Sequence, residues 1–297
     1  METGLWLTIV LWSLNFIAVK IGVQDLPPAL FTALRFLVAG PLLLALAYRK
    51  GEIRVSHRDF WALAGTGLIG ISLYQLLFTT AVQLTDVASA AILMALSPVF
   101  AAIWGVIARS ETLRIGNLLG VALGVAGAVL VILGGHRAAT ATAPAPLLGD
   151  GAALLAAVAW AVYGFISLPL VRRLPPLTVT AWQSVLGGIA LLWAIPIYWP
   201  QAHFTVNAFS ILYSALPVTV FGLSFWQGAT ARLGPTRLLA HLSAEPAIAA
   251  VAAFFMFGTP IGRFVIAGGI MSLVGVYLAR AGSGASSHRR GRESLAE

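Results

Sequence analysis

His241 and Glu245 stand four positions apart in an otherwise apolar stretch, and Pro246 follows at once. On an α-helix that spacing puts both side chains on one face. A carboxyl group in apolar surroundings is costly unless it is paired, hydrated or protonated, so an acid of this kind reads first as part of a pathway for solute or protons. Its plainer reading is a hydrogen-bonded acid that fixes its helix. A metal site is not expected, because no further His cluster completes a ligand set and the chain contains no cysteine. The lack of cysteine also excludes disulfides and thiolate chemistry.

The other residues with chemistry to offer are sparse. Lys20 falls near the end of one apolar stretch and is expected to snorkel toward the interface. Arg35 lies about 8 Å inside the next, from the helical rise, where snorkelling and an internal partner both fit. Trp12 with Asn15, Tyr74 with Phe78, and Trp160 with Tyr163 are spaced three or four apart. Each pair can present a flat apolar wall with a polar tip to a cavity, and each also suits ordinary helix packing. Trp226 and Ser97 are counted with them as candidate binding residues. Trp6, Trp61, Trp193, Tyr198, Trp199 and Tyr213 sit near the ends of apolar stretches, as an interfacial belt does. Pro98 and Pro246 fall inside such stretches, where each should kink or break a helix and release the carbonyl four residues back, at Met94 and Leu242.

The elements that carry these residues follow from composition. Of 297 residues, 59% are hydrophobic and 9% charged, against roughly a quarter charged in soluble domains. Ten apolar runs are long enough to span a bilayer: near 4–22, 30–48, 60–82, 87–108, 115–133, 150–170, 177–198, 208–231, 237–257 and 262–280. None alternates as a membrane barrel strand does, so the expected fold is an all-α membrane bundle of ten helices. The first run follows Met1, Glu2 and Thr3 without a basic segment and is expected to be retained as a helix rather than removed as a signal peptide.

If the ten runs zigzag, 14 of the 18 Lys and Arg residues fall on one side, at 49–58, 109–114, 172–173, 232–237 and 280–292. Cytoplasmic loops collect such residues, so both termini are expected inside and the net charge of +8 needs no nucleic-acid partner. The tail, 282–297, is basic and rich in Gly and Ser and is expected to be disordered, with anionic lipid as its contact.

The chain also repeats itself. Leu26-Pro27-Pro28 returns as Leu174-Pro175-Pro176, an offset of 148 that also pairs Trp12 with Trp160, Thr32-Ala33 with Thr180-Ala181, Gly40 with Gly188, Pro98 with Pro246, Gly120 with Gly268 and Gly127 with Gly275. Five runs per half put equivalent loops on opposite sides, which accounts for the change from Gln24-Asp25 to Arg172-Arg173 beside the repeated motif. The expected organisation is a first five-helix repeat over 1–135, a linker over 136–149, a second, inverted repeat over 150–281, and the tail. Gly116, Gly120 and Gly124 recur every four residues, as Gly268 and Ser272 do on the equivalent run of the second half; such small faces permit close helix approach, expected within the bundle rather than at a dimer face.

The stretches WSLNFIAVKIGVQDLPPALFTALRF (residues 12–36) and LSPVFAAIWGVIARSETL (96–113) resemble the drug/metabolite transporter superfamily, and the ten-helix EamA branch in particular. The acid Glu111 that closes the first half has Thr259, followed by Pro260, as its equivalent, a departure from the pattern. The resemblance implies an inner-membrane exporter of amino acids or other small metabolites, similar to the aromatic-amino-acid exporters, with no cofactor. A small-molecule substrate and the bilayer are the expected partners, with a monomer favoured. An intramembrane enzyme or a channel is the alternative from another class, and export of other metabolites or drugs is the alternative within this one. No Walker loop is present, so ATP hydrolysis is not expected.

Overall fold

Repeated Pro-Pro pairs set the geometry at two helix starts. Pro27 and Pro175 adopt nearly the same backbone angles (φ −55°, ψ 141° and φ −56°, ψ 136°) and cap helices that begin at Pro28 and Pro176. A proline in the first turn surrenders no helical hydrogen bond, since that N–H has no intrahelical acceptor. One turn on, the Thr32 and Thr180 hydroxyls each donate back to the proline carbonyl, at 2.7 and 2.8 Å. Equivalent residues thus build equivalent local structure at the offset read from the sequence.

The protein is described by a computed structural model covering residues 2–107, 115–135, 143–204, 207–234, 238, 240–258 and 261–293. Among these residues the regular structure is helical. The helices are α1 (Glu2–Asp25), α2 (Pro28–Arg49), α3 (His57–Leu84), α4 (Val87–Met94), α5 (Ser97–Ile107), α6 (Ile115–Gly135), α7 (Pro146–Arg173), α8 (Pro176–Ile189), α9 (Ala194–Tyr198), α10 (Asn207–Leu233), α11 (Glu245–Phe257) and α12 (Arg263–Glu293). Five of them, α1, α2, α3, α7 and α10, are long and apolar enough to cross a membrane. The apolar segments Val87–Ala101, Leu118–Leu133, Glu245–Phe257 and Arg263–Leu278 are shorter. Large apolar side chains such as Leu37, Leu155 and Phe255 face outward, while Ser, Thr, Gln and Asn are buried inside. That is the arrangement expected when the surroundings are lipid.

Two features of α3 and α10 are invisible in the hydrophobic pattern. Each contains a π-helical stretch, Leu68–Leu73 in α3 and Ser214–Leu223 in α10. These occupy corresponding places in the repeat, and such widened turns free backbone groups. The small faces pack within the bundle, α6 against α12. A Cβ on Gly127 would lie 2.5 Å from Ser272 Oγ, and one on Gly275 would lie 2.5 Å from the Gly124 nitrogen, so only glycine permits this approach. Glu111, Thr259, Pro260 and the first half of the linker, 136–142, lie outside the described residues. Where the composition suggests a disordered tail, α12 runs on to Glu293; extending a formed helix costs far less than starting one.

Candidate functional site

The two prolines interrupt their runs. α4 stops at Met94 and α5 starts at Ser97, with Pro98 in its first turn; the Ser97 hydroxyl takes up the Met94 carbonyl at 2.7 Å. In the second half a 3₁₀ turn, Ala240–Ala244, gives way to α11 at Glu245, with Pro246 again in the first turn. Both prolines therefore begin a helix rather than bend one.

These breaks open onto a central cavity lined by Trp12, Asn15, Phe16, Arg35, Tyr74, Gln75, Phe78, Met94, Ser97, Trp160, Val218, Leu223, Leu242 and Glu245. Four pairs among them are repeat equivalents: Trp12 and Trp160, Gln75 and Leu223, Met94 and Leu242, Ser97 and Glu245. The cavity thus lies where the two repeats meet. Its free volume is ≈ 40 Å³, room for about two waters.

Aromatic rings crowd one wall. Trp12 stands edge-on to Trp160 at 5.5 Å and lies tilted against Trp226 at 4.9 Å. Trp160 touches Tyr74 at 4.7 Å and Tyr163 at 5.3 Å, and Phe78 meets Phe16 at 5.1 Å. Such contacts add about 0.5 to 1.5 kcal/mol each beyond burial. The Trp12 indole donates to the Val218 carbonyl, 3.2 Å away in the π stretch of α10, and rests where a Cβ on Gly222 would intrude at 2.6 Å from its nitrogen.

Polar groups occupy the rest. Asn15 Oδ1 accepts from Ser214 Oγ at 2.6 Å. Arg35, 3% exposed, donates from Nε to Thr219 Oγ1 at 2.9 Å and from Nη1 to Gln75 Oε1 at 3.0 Å. Glu245 Oε1 is buried and has no hydrogen-bond partner among the described residues. Tyr74 lies within electrostatic reach of both Arg35 and Glu245.

A second polar cluster stands behind Trp160. Tyr163 donates its hydroxyl to Gln183 Oε1 at 2.7 Å and accepts from Gln227 Nε2. Gln183 Nε2 donates to Thr66 at 2.7 Å and to Ser167 at 3.1 Å, and Gln227 also reaches Gln183 Oε1 at 2.9 Å. Beyond it the Arg173 guanidinium pairs with Asp59, the Trp182 indole donates to the Ile53 carbonyl at 3.0 Å and Thr178 to that of Glu52. Arg173, one of the bases beside the repeated motif, therefore has a partner.

Of the residues singled out in the sequence, Trp12, Asn15, Tyr74, Phe78, Ser97, Trp160 and Glu245 line the cavity, and Tyr163 and Trp226 back it. His241 does not share the face of Glu245. It sits in the 3₁₀ turn, with Nδ1 3.3 Å from the Leu238 carbonyl, and at three residues per turn a position four along is displaced by about 120°. Lys20 does not snorkel. It is 4% exposed and its ammonium donates to the carbonyls of Val82 (2.6 Å), Gln83 (3.3 Å) and Thr85 (2.8 Å), capping the end of α3 with the charge that a helix C-terminus favours. Arg35, Gln75, Met94 and Leu242 were not among the candidate binding residues. The offset of 148 carries a signal for part of this, since it sets Ser97 against Glu245 and Arg35 against Gln183.

The EamA-like transporter family model matches residues 3–133 and again 147–281. The chain belongs to the EamA-like transporter family. A relative from Archaeoglobus fulgidus described as an uncharacterized transporter is 30% identical, covering 93% of this chain and 95% of its own. A probable terminal-alkyne amino-acid exporter of Streptantibioticus cattleyicolor is 29% identical, over 93% and 91%. The aromatic amino acid exporter YddG of Ancylobacter novellus is also 29% identical, over 87% and 90%. A solved crystal structure with 21% identity superposes at a TM-score of 0.68 over 93% of this chain, which establishes the fold. The protein is a multi-pass membrane protein of a transporter family, and its all-helical fold is that of the family.

Proposed function

We propose that this member of the family exports large neutral amino acids, aromatic ones foremost, by alternating access of two inverted halves, 1–135 and 150–281, joined by the linker 136–149. One observation carries this reading: Glu245, whose carboxyl oxygen Oε1 is buried and lacks any hydrogen-bond partner among the described residues, faces a central cavity walled by Trp12, Tyr74, Phe78 and Trp160. An ammonium group satisfies such a carboxylate, and flat rings receive an apolar side chain. Sugars would ask for more hydrogen-bonding side chains than this wall carries. The amino-acid exporters among the relatives point the same way. Free space of ≈ 40 Å³ is too small for such a substrate, so the walls must part for it to enter.

The proposed setting is a bacterial-type inner membrane, crossed ten times by a monomer with both termini in the cytoplasm. Reporter fusions after Arg58 and after Arg280 are expected to read inside and one near Pro144 outside; a periplasmic C-terminus would refute the inverted topology. Substrate class is tested in proteoliposomes by competition against labelled phenylalanine. Aromatic and branched amino acids are expected to compete. Competition by nucleotides or sugars instead would overturn the proposal.

A further inference from the structure

The guanidinium of Arg35 lies over the Phe36 ring, 5.3 Å from its centre, and only part of its donors is bonded. Two of its N–H groups go to neutral acceptors, Thr219 Oγ1 and Gln75 Oε1, and its remaining N–H groups meet no acceptor among the described residues. No ion pair joins it to Glu245, although both line the same cavity with Tyr74 in electrostatic reach of each. One cavity thus holds a guanidinium and a carboxyl group that do not pair with one another. A buried charge in that condition is costly, and the cost is recovered when a ligand brings the missing counter-charge.

Packing alone does not require a cation here. The repeat equivalent of Arg35 is Gln183, set at the same place in α8 as Arg35 in α2. Its neutral amide satisfies both donors and the oxygen through Thr66, Ser167, Tyr163 and Gln227. The same scaffold position is therefore filled by a neutral, fully bonded side chain in one half and by a charged side chain with donors to spare in the other. A guanidinium presents parallel N–H groups matched to the two oxygens of a carboxylate.

We infer that Arg35 receives the carboxylate of the transported molecule, so that an α-amino acid is held by its two charges between Arg35 and Glu245 with its side chain against the aromatic wall. The inference rests on the amino-acid reading above and adds the anionic end of the ligand and the residue that selects for it.

Binding of phenylalanine and of phenylalaninamide to the purified transporter tests it, because the amide keeps the ring and the ammonium and lacks the anion. Wild type is expected to prefer the acid by about tenfold or more. Arg35→Gln copies the residue already tolerated at the equivalent position; it is expected to remove that preference, weakening phenylalanine by a similar factor while leaving the amide unchanged. Arg35→Lys keeps the charge and loses the fork, and is expected to show a several-fold loss for the acid alone; it decides the matter if Arg35→Gln does not fold. Equal weakening of both ligands, or of neither, overturns the assignment and leaves amino-acid transport standing. Wild type that binds both ligands equally also overturns it. Wild type that binds neither ligand nor any other amino acid overturns the amino-acid reading and the assignment with it.

Discussion

The Arg35 and Gln183 clusters are one arrangement used twice. Asn15, Arg35 and Ser214 correspond in the repeat to Tyr163, Gln183 and Thr66. In the first cluster Asn15 bonds to Ser214 and Arg35 to Thr219 and Gln75, beside open space. In the second, Tyr163, Gln183, Gln227, Thr66 and Ser167 bond to one another. The difference teaches that duplication supplied the frame while a few side chains divided the labour. A cluster with charge and spare valence can take a ligand; a neutral, self-satisfied one holds helices of the two halves together.

The sharpest way to break this comparison is to exchange its key residues. Gln183→Arg puts a cation among partners already occupied, and is expected to cost about 3 to 5 kcal/mol, as unpaired buried charges do. Arg35→Gln is expected to change stability by less than about 1 kcal/mol. Unfolding in detergent measures both, and similar costs would show the two positions to be equivalent after all. Smaller effects are expected at Tyr163→Phe, which strips a donor from Gln183 and an acceptor from Gln227, weakening the closed cluster by about 1 to 3 kcal/mol. Because the chain lacks cysteine, a Ser97→Cys background reports the change. If the closed cluster also bars the way to the cavity, labelling by an impermeant maleimide from the side of Arg173 and Asp59 should rise, and an unchanged rate would mean that it does not.

The two π stretches offer a matched pair. Gly222→Ala would press on Trp12, 2.6 Å from the new Cβ, and Gly70→Ala on the Tyr163 ring at 2.2 Å. The first is expected to weaken amino-acid binding about tenfold with little effect on maleimide access, the second to raise access with little effect on binding. Identical phenotypes would erase the distinction. The smallest effect is expected at Ser97→Ala, which gives up one hydrogen bond to the Met94 carbonyl, about 1 kcal/mol by unfolding.

Much of this was readable from the chain because polar and aromatic residues are rare in lipid-facing runs and stand out at depth. Trp12, Tyr74, Trp160 and Glu245 reach the cavity for that reason, and the Leu-Pro-Pro repeat located two helix starts. What escaped depends on contacts between distant runs or on departures from the α period. Lys20 looked free to reach the interface because its acceptors, the carbonyls of 82, 83 and 85, lie more than sixty residues away. His241 was misplaced by a 3₁₀ turn, and the π stretches leave no trace in hydropathy. Arg35 could be seen as a buried charge, but the meaning of its position emerges only beside the bonded amide of Gln183.

The narrowness of the cavity sets a limit on apparent affinity. With ≈ 40 Å³ free and the rings of Trp12, Trp160 and Trp226 resting on one another, this conformation has no room for an amino acid, and a wider one must form first. A ligand that binds only the wider conformation has its measured Kd raised by the reciprocal of the fraction of molecules that hold it, so an intrinsic value of about 1 μM reads as about 100 μM when about 1% of molecules are open. The aromatic wall then acts as a competitor for its own site: the ring contacts that the substrate must displace are regained when it leaves, which favours release once the far side has opened.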